Sequence, residues 1–269
     1  MLRQPPMNAP VLLSAPALDA AERCARLFRY LYLDRLGGSG EGFEASEQQG
    51  QAHRRFCRLV ELAAQNRRIE PLLAAAGAQV QIWWERFTES PHSHPQGQPF
   101  FEYPLWVRLG SWRISTHLNR LSLHEKQLTA FIWNTDLERP EDGDLLEDWQ
   151  LRLARTILCL AGERLVGGRP MDPADLRLVV WFANAPARPY TLNYSPPAFE
   201  ADRRVLTLAL QRLERFAATG YPMSADLQVC SGCLFRTRCY GLRPEGPMPF
   251  RSWEPQDFAP LEPQIDGPA

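Results

Sequence analysis

The chain of 269 residues is almost without lysine: Lys126 is the only one, and every other basic position is arginine. The residue two places before Lys126 is His124, so no acidic-x-lysine triplet can be written anywhere in the chain. Net charge is scarce too, with 30 basic against 31 acidic residues and a formal charge of −1. That argues against a generic nucleic-acid coat, although charge can still segregate by face. No apolar run approaches the ~18 residues of a membrane span. The Pro-broken patch Val11–Leu13 is too short for a secretory signal core, so a cytoplasmic protein is expected. Cysteine is sparse at 6 residues, and a second C-x2-C pair of the kind zinc ribbons use is missing.

What is present is concentrated near the C-terminus. Cys230-Ser-Gly-Cys233-Leu-Phe-Arg-Thr-Arg-Cys239 reads C-x2-C-x5-C. Three thiols this close can face one point, where thiolates bind a soft metal or an iron–sulfur cluster. A closed site needs a fourth ligand, and Cys24, Cys57 and Cys159 remain. A tight trio plus one distant cysteine suits a cubane better than zinc. Zinc, and three unligated or redox-linked thiols, are the alternatives.

The apolar fraction of 45% suits a globular body with a real core. Residues 1–16 are Pro-rich and read as an arm, 17–241 as the folded domain, and 242–269 as a Pro-dense tail. Helical spacing runs over 17–33, with Cys24 on the inward stripe and Arg23, Arg26 and Arg29 flanking it. A second helix is expected over 47–66, carrying His53 and Cys57, and shorter ones over 71–76 and 79–87. His92 and His94 fall in a loop over 89–99. Alternation predicts strands over 100–109, 111–121 and 127–135, an antiparallel meander turned at Gly110 and at 123–126. A long helix over 145–166, strands over 176–183 and 190–194, and a helix over 198–218 complete the order.

This order, ending in C-x2-C-x5-C, resembles the PD-(D/E)XK nuclease superfamily over about Ser14 to Gly241. The closer likeness is to its iron–sulfur branch of AddB-type helicase–nucleases and CRISPR-associated single-strand exonucleases. The resemblance implies an α/β fold with a mixed central sheet flanked by helices. It implies a 4Fe–4S cluster held by Cys24, Cys230, Cys233 and Cys239, stapling the N- and C-terminal segments together.

It also implies metal-dependent phosphodiester hydrolysis with magnesium or manganese held by carboxylates. Here the match is uneven. His53 fits the family's histidine and Glu102 an acidic residue of the first strand. Asn119 stands where an aspartate belongs, Ile132 where the second carboxylate belongs, and Asn134 where the lysine belongs. Gln150 is kept, but its companion tyrosine is Ala154. Isoleucine cannot bind a cation, and asparagine offers a neutral oxygen. The expectation is a nuclease-like protein with a degenerate centre at His53, Glu102, Asn119, Ile132, Asn134 and Gln150. It would bind single-stranded DNA or a protein partner, and Arg23, Arg26, Arg29, Arg236 and Arg238 are either phosphate contacts or solvated, ion-paired faces. The alternatives are an active nuclease with a rearranged site and a zinc-stapled interaction module.

Overall fold

The computed structural model describes residues 12–36, 41–94 and 96–240; the side chains of 41–47, Glu102 and Arg164 lie outside the description. The expected tail at 242–269 lies wholly outside it, as does the expected arm up to residue 11. Within the expected arm, Leu12–Leu13 form strand β1 and Leu13 is fully buried. No helix among the described residues is long and apolar enough to cross a membrane.

Helices α1 (Ala15–Arg23) and α2 (Ala25–Phe28) follow, then a wide turn of helix over Arg29–Leu33. Next come α3 (Glu41–Ala64), α4 (Glu70–Ala74) and α5 (Ala78–Thr88). The meander is β2 (Gln98–Leu109), β3 (Trp112–His124) and β4 (Gln127–Asn134). Helices α6 (Asp142–Glu147) and α7 (Trp149–Ala161) lead to the hairpin β5 (Leu176–Phe182) and β6 (Tyr190–Asn193). The described chain closes with α8 (Pro196–Ala218), α9 (Leu227–Ser231) and α10 (Arg236–Tyr240).

The six strands form one mixed sheet, with β1–β3 and β4–β5 parallel and the other pairs antiparallel. Alternation along β4 and β5 sorts the core into two layers. Leu128, Ala130, Ile132, Leu178 and Val180 face a large cluster with α1, α7 and α8. Phe131, Trp133, Val179 and Trp181 face a smaller aromatic cluster with α3 and α5, built on Phe56, Trp83 and Phe87. A mixed sheet with helices on both faces is therefore observed, as expected from the sequence.

Local chemistry sets the joints. The β3–β4 hairpin closes His124 on Gln127 over a two-residue turn, with Glu125 at φ 55°. The expected long helix is two, because the Asp148 carboxylate accepts the amides of Gln150 and Leu151 and starts α7 afresh. Ser195 caps α8 ahead of two prolines, whose fixed φ suits a first turn. Helices α7 and α8 are clamped by buried Asp202, which accepts from Arg155, Arg152 and the Tyr194 hydroxyl.

Candidate functional site

The helical spacing around Cys24 survives, but the helix does not. Cys24 is extended (φ −164°, ψ 123°) between α1 and α2. Its N–H still donates to the Ala20 carbonyl at 2.9 Å, and its own carbonyl accepts from Phe28 N–H at 3.1 Å. One non-helical residue is thus spliced in with both of its own backbone groups still bonded. At the other end of the chain, Asp226 caps α9. The Cys233 amide donates to the Cys230 carbonyl (3.2 Å), Arg236 to Cys233 (3.0 Å) and Cys239 to Phe235 (3.0 Å). These tight turns keep the trio on one side.

Cys24, Cys230, Cys233 and Cys239 all line one small cavity, walled by Leu27, Tyr30 and Phe235. Cys57 and Cys159 are not in its wall. All four cavity cysteines are free thiols, half-buried. Burial pushes the Cys233 thiol up, and the neighbouring thiols Cys239, Cys24 and Cys230 add to the effect. Among the described residues no three His, Cys, Asp or Glu side chains gather closely enough to hold a single metal ion.

Contacts beside the cavity tie the two chain ends together. Tyr30 packs edge-on against Phe235 at 5.1 Å, and Phe28 stacks on Tyr221 at 6.1 Å. Arg26 donates to the Tyr221 carbonyl at 2.7 Å, Arg238 lies 5.3 Å over the Tyr30 ring, and Arg29 pairs with Asp34. Three of the arginines expected to contact phosphate are thus engaged within the protein.

The second set of expected residues lies where β3 and β4 part. Their pairing runs from His124↔Gln127 to Arg120↔Phe131, while β4 continues along β5 to Asn134↔Phe182. Asn119 fills the opening. It is 8% exposed, and its Oδ1 accepts the Trp133 N–H at 3.0 Å, as a main-chain carbonyl would in a continuous ladder. Its Nδ2 donates to Cys57 Sγ at 3.4 Å. On α3, His53 reaches Cys57 Sγ through Nε2 (3.4 Å) and Thr135 Oγ1 through Nδ1 (3.1 Å). Gln49 donates to the Thr135 carbonyl at 2.8 Å.

The structure thus joins His53 and Asn119 through Cys57. The other expected residues are not gathered with them. Ile132 lies in the large core beneath α7, on the opposite sheet face from Trp133. Asn134 turns onto Asp136, donating to its carboxylate and accepting its N–H, each at 2.9 Å. Gln150 lies in the first turn of α7, and no hydrogen bond joins it to His53 or Asn119. Glu102 lies on β2 between the rungs Phe101↔Arg120 and Tyr103↔Leu118, and its side chain is outside the described residues. Cys57 is a core residue of the aromatic cluster, 6% exposed, and also bridges His53 and Asn119; neither it nor Thr135 is among the expected site residues, and the available signal was the four-residue step from His53 to Cys57, which puts both on one helix face.

The described side chains in this opening are amide, imidazole, thiol and hydroxyl. The nearby Asp136 carboxylate is engaged by Asn134. A hard divalent cation prefers several carboxylate oxygens.

No known family profile matches the chain, and no curated protein matches it. Solved structures do. A "Putative exonuclease" from Eubacterium rectale matches with a TM-score of 0.52 and 8% identity, over 88% of this chain and 91% of that one. SSO0001 matches at a TM-score of 0.39 and 13% identity, over 87% and 88%. The first shows a shared overall fold and nothing finer.

Proposed function

We propose that this nuclease-like body is of PD-(D/E)XK type, held by a 4Fe–4S cluster, with a hydrolytic centre that has lost its charge, and that it binds single-stranded DNA in DNA processing. The observation that carries the reading is the set of four cysteines, one from the first helices and three from the last, lining a single cavity. Zinc is the alternative; a close trio of thiols with one distant fourth suits a cubane. Cys24, Cys230, Cys233 and Cys239 would hold it, and bound there it supplies a covalent cross-link between distant segments. Leu27, Tyr30 and Phe235 line the same cavity. The impairment rests on Asn119, Ile132 and Asn134: the first is committed to the β4 backbone, the second to the core, the third to Asp136.

Protein purified without oxygen should be brown and contain iron and acid-labile sulfide, and Cys24→Ser should lose both. A colourless, zinc-loaded protein would replace the cluster with the zinc-stapled alternative. Binding of single-stranded DNA should weaken as salt rises; salt-indifferent or absent binding would leave a protein partner as the target. Incubation with DNA and magnesium or manganese should give no cleavage. Cleavage abolished by His53→Ala or Glu102→Ala would mean an active, rearranged nuclease.

A further inference from the structure

The β2–β3 hairpin presents a face that neither the cavity nor the Asn119 opening uses. We infer that this face is a stacking and phosphate-contact platform for single-stranded nucleic acid, centred on Trp106. The inference rests on the nucleic-acid reading above and names the residues that make the contact.

Residues of β2 and β3 that face the core are buried: Leu105 is 7% exposed and Ile114 0%. Trp106, on the opposite face, is 48% exposed. The Arg113 guanidinium lies 4.5 Å over its ring, which holds the indole upright while much of it stays open. An exposed, braced indole is a surface on which an unpaired base of any sequence can stack.

The charge on this face asks for an anion. Arg108 and Arg113 stand directly opposite each other on one rung, next to Trp106↔Ser115. Like charges so placed destabilise a sheet. Neither arginine forms an ion pair among the described residues, and the only polar partner of Arg108 is the Gly110 carbonyl at 3.4 Å. The two strands together contain a single acid, Glu102, against Arg108, Arg113 and Arg120. A phosphate between Arg108 and Arg113 would relieve the repulsion and make charge-assisted bonds.

A second observation points the same way. Arg120 is 4% exposed, and its Nε and Nη1 have no partner. It shares a rung with Phe131 of the aromatic layer, so it faces the side on which Arg113 also lies. Its guanidinium sits 5.1 Å over the Phe101 ring. From Arg113 to Arg120 is seven residues of strand, about 23 Å at ~3.3 Å per residue. Cation and aromatic ring thus pair twice on the hairpin, at the exposed Trp106 and at a buried, unpaired Arg120 over Phe101. A duplex keeps its bases stacked on one another and has none to offer Trp106.

The test is fluorescence anisotropy on the full chain with a labelled oligothymidine and a duplex of equal length, from 50 to 200 mM salt. The single strand should bind more tightly than the duplex. Trp106→Ala should weaken single-strand binding roughly tenfold, with Trp106→Phe retaining most of it. Arg108→Ala and Arg113→Ala should each weaken it and lower the salt slope by about one. Arg108→Ala should also melt at a higher temperature without nucleic acid, a readout independent of binding. If the parent protein binds no oligonucleotide, platform and nucleic-acid reading fall together. If it binds and Trp106→Ala and Arg113→Ala bind equally well, only the platform falls. Equal losses on duplex and single strand would remove the stacking role.

Discussion

Asn119 offers a sharp test of whether the position belongs to architecture or to chemistry. Its side chain accepts the Trp133 N–H at a point where β3 has no carbonyl to offer, and Trp133 is 2% exposed. Asn119→Ala leaves that donor buried without a partner, which costs about 1–3 kcal/mol. Loss of the bond to Cys57 and the truncation itself should bring the total to about 2–3 kcal/mol. For a chain of this size that lowers the melting temperature by roughly 5–10 °C. Asn119→Asp keeps the acceptor but buries a carboxyl, so its folded pKa rises. The variant should then lose stability as pH climbs from the ordinary carboxylate value of about 3.9 towards that raised value. Thermal melts of both variants at pH 5 and pH 8, with and without magnesium, measure all of this. An alanine variant as stable as the parent would show that the side chain does not complete the sheet. Magnesium-dependent stabilisation of the aspartate variant at pH 8 would show that the opening is still a cation site.

Other substitutions test separate parts of the frame. Asp202→Asn removes the charge facing Arg155 and Arg152 and should cost about 3–5 kcal/mol by denaturant titration. Burial alone would raise the Asp202 pKa, but the Arg155 bond and charge, then Tyr194 and Arg152, outweigh it and hold the carboxyl below its usual value. Its stabilisation is therefore present above the unfolded carboxylate pKa and lost as pH falls through the lower folded one. The Asn variant should show a shallower acid limb over that window. Gly97→Ala should destabilise measurably in thermal melts, because a Cβ there would lie 2.4 Å from the Leu123 carbonyl oxygen and φ is +100°. It would also strain the bond from Ser122 to the Gln96 carbonyl. Cys57→Ser and Cys159→Ser should keep the full iron and sulfide content, measured beside Cys24→Ser, because neither lines the cavity.

The sheet was readable because alternation is strong where one or both faces are covered: β3, β4 and the β5–β6 hairpin fall within a few residues of expectation. The split at Asp148 carried a signal, a capping aspartate before Trp149, that the longer apolar stripe concealed. The extended residue at Cys24 carried none. It has no proline or glycine, and its two backbone hydrogen bonds survive, so the periodicity of Ala21, Leu27 and Phe28 passes straight through. β1 was invisible because two residues have no period, and only the free edge at the start of β3 makes Leu12–Leu13 a strand. The site was half legible. Spacing singled out the cysteine trio, whereas its convergence with Cys24 depends on how the sheet turns the chain back. The fate of Ile132 depended on which sheet face it took, and Asn134 depended on a turn formed with Asp136.

The wall of the cysteine cavity is drawn from both extremes of the described chain, and this fixes an order of events. Roughly two hundred residues separate Cys24 from Cys230. At ribosomal speeds of ~5–20 residues per second, that is on the order of 10–40 s of waiting. By the end of that interval every strand of the sheet has been synthesised ahead of the last three thiols. A nascent chain halted before Cys230 already holds all the sheet's strands but cannot enclose the space, so the cavity closes last, onto a frame already laid down.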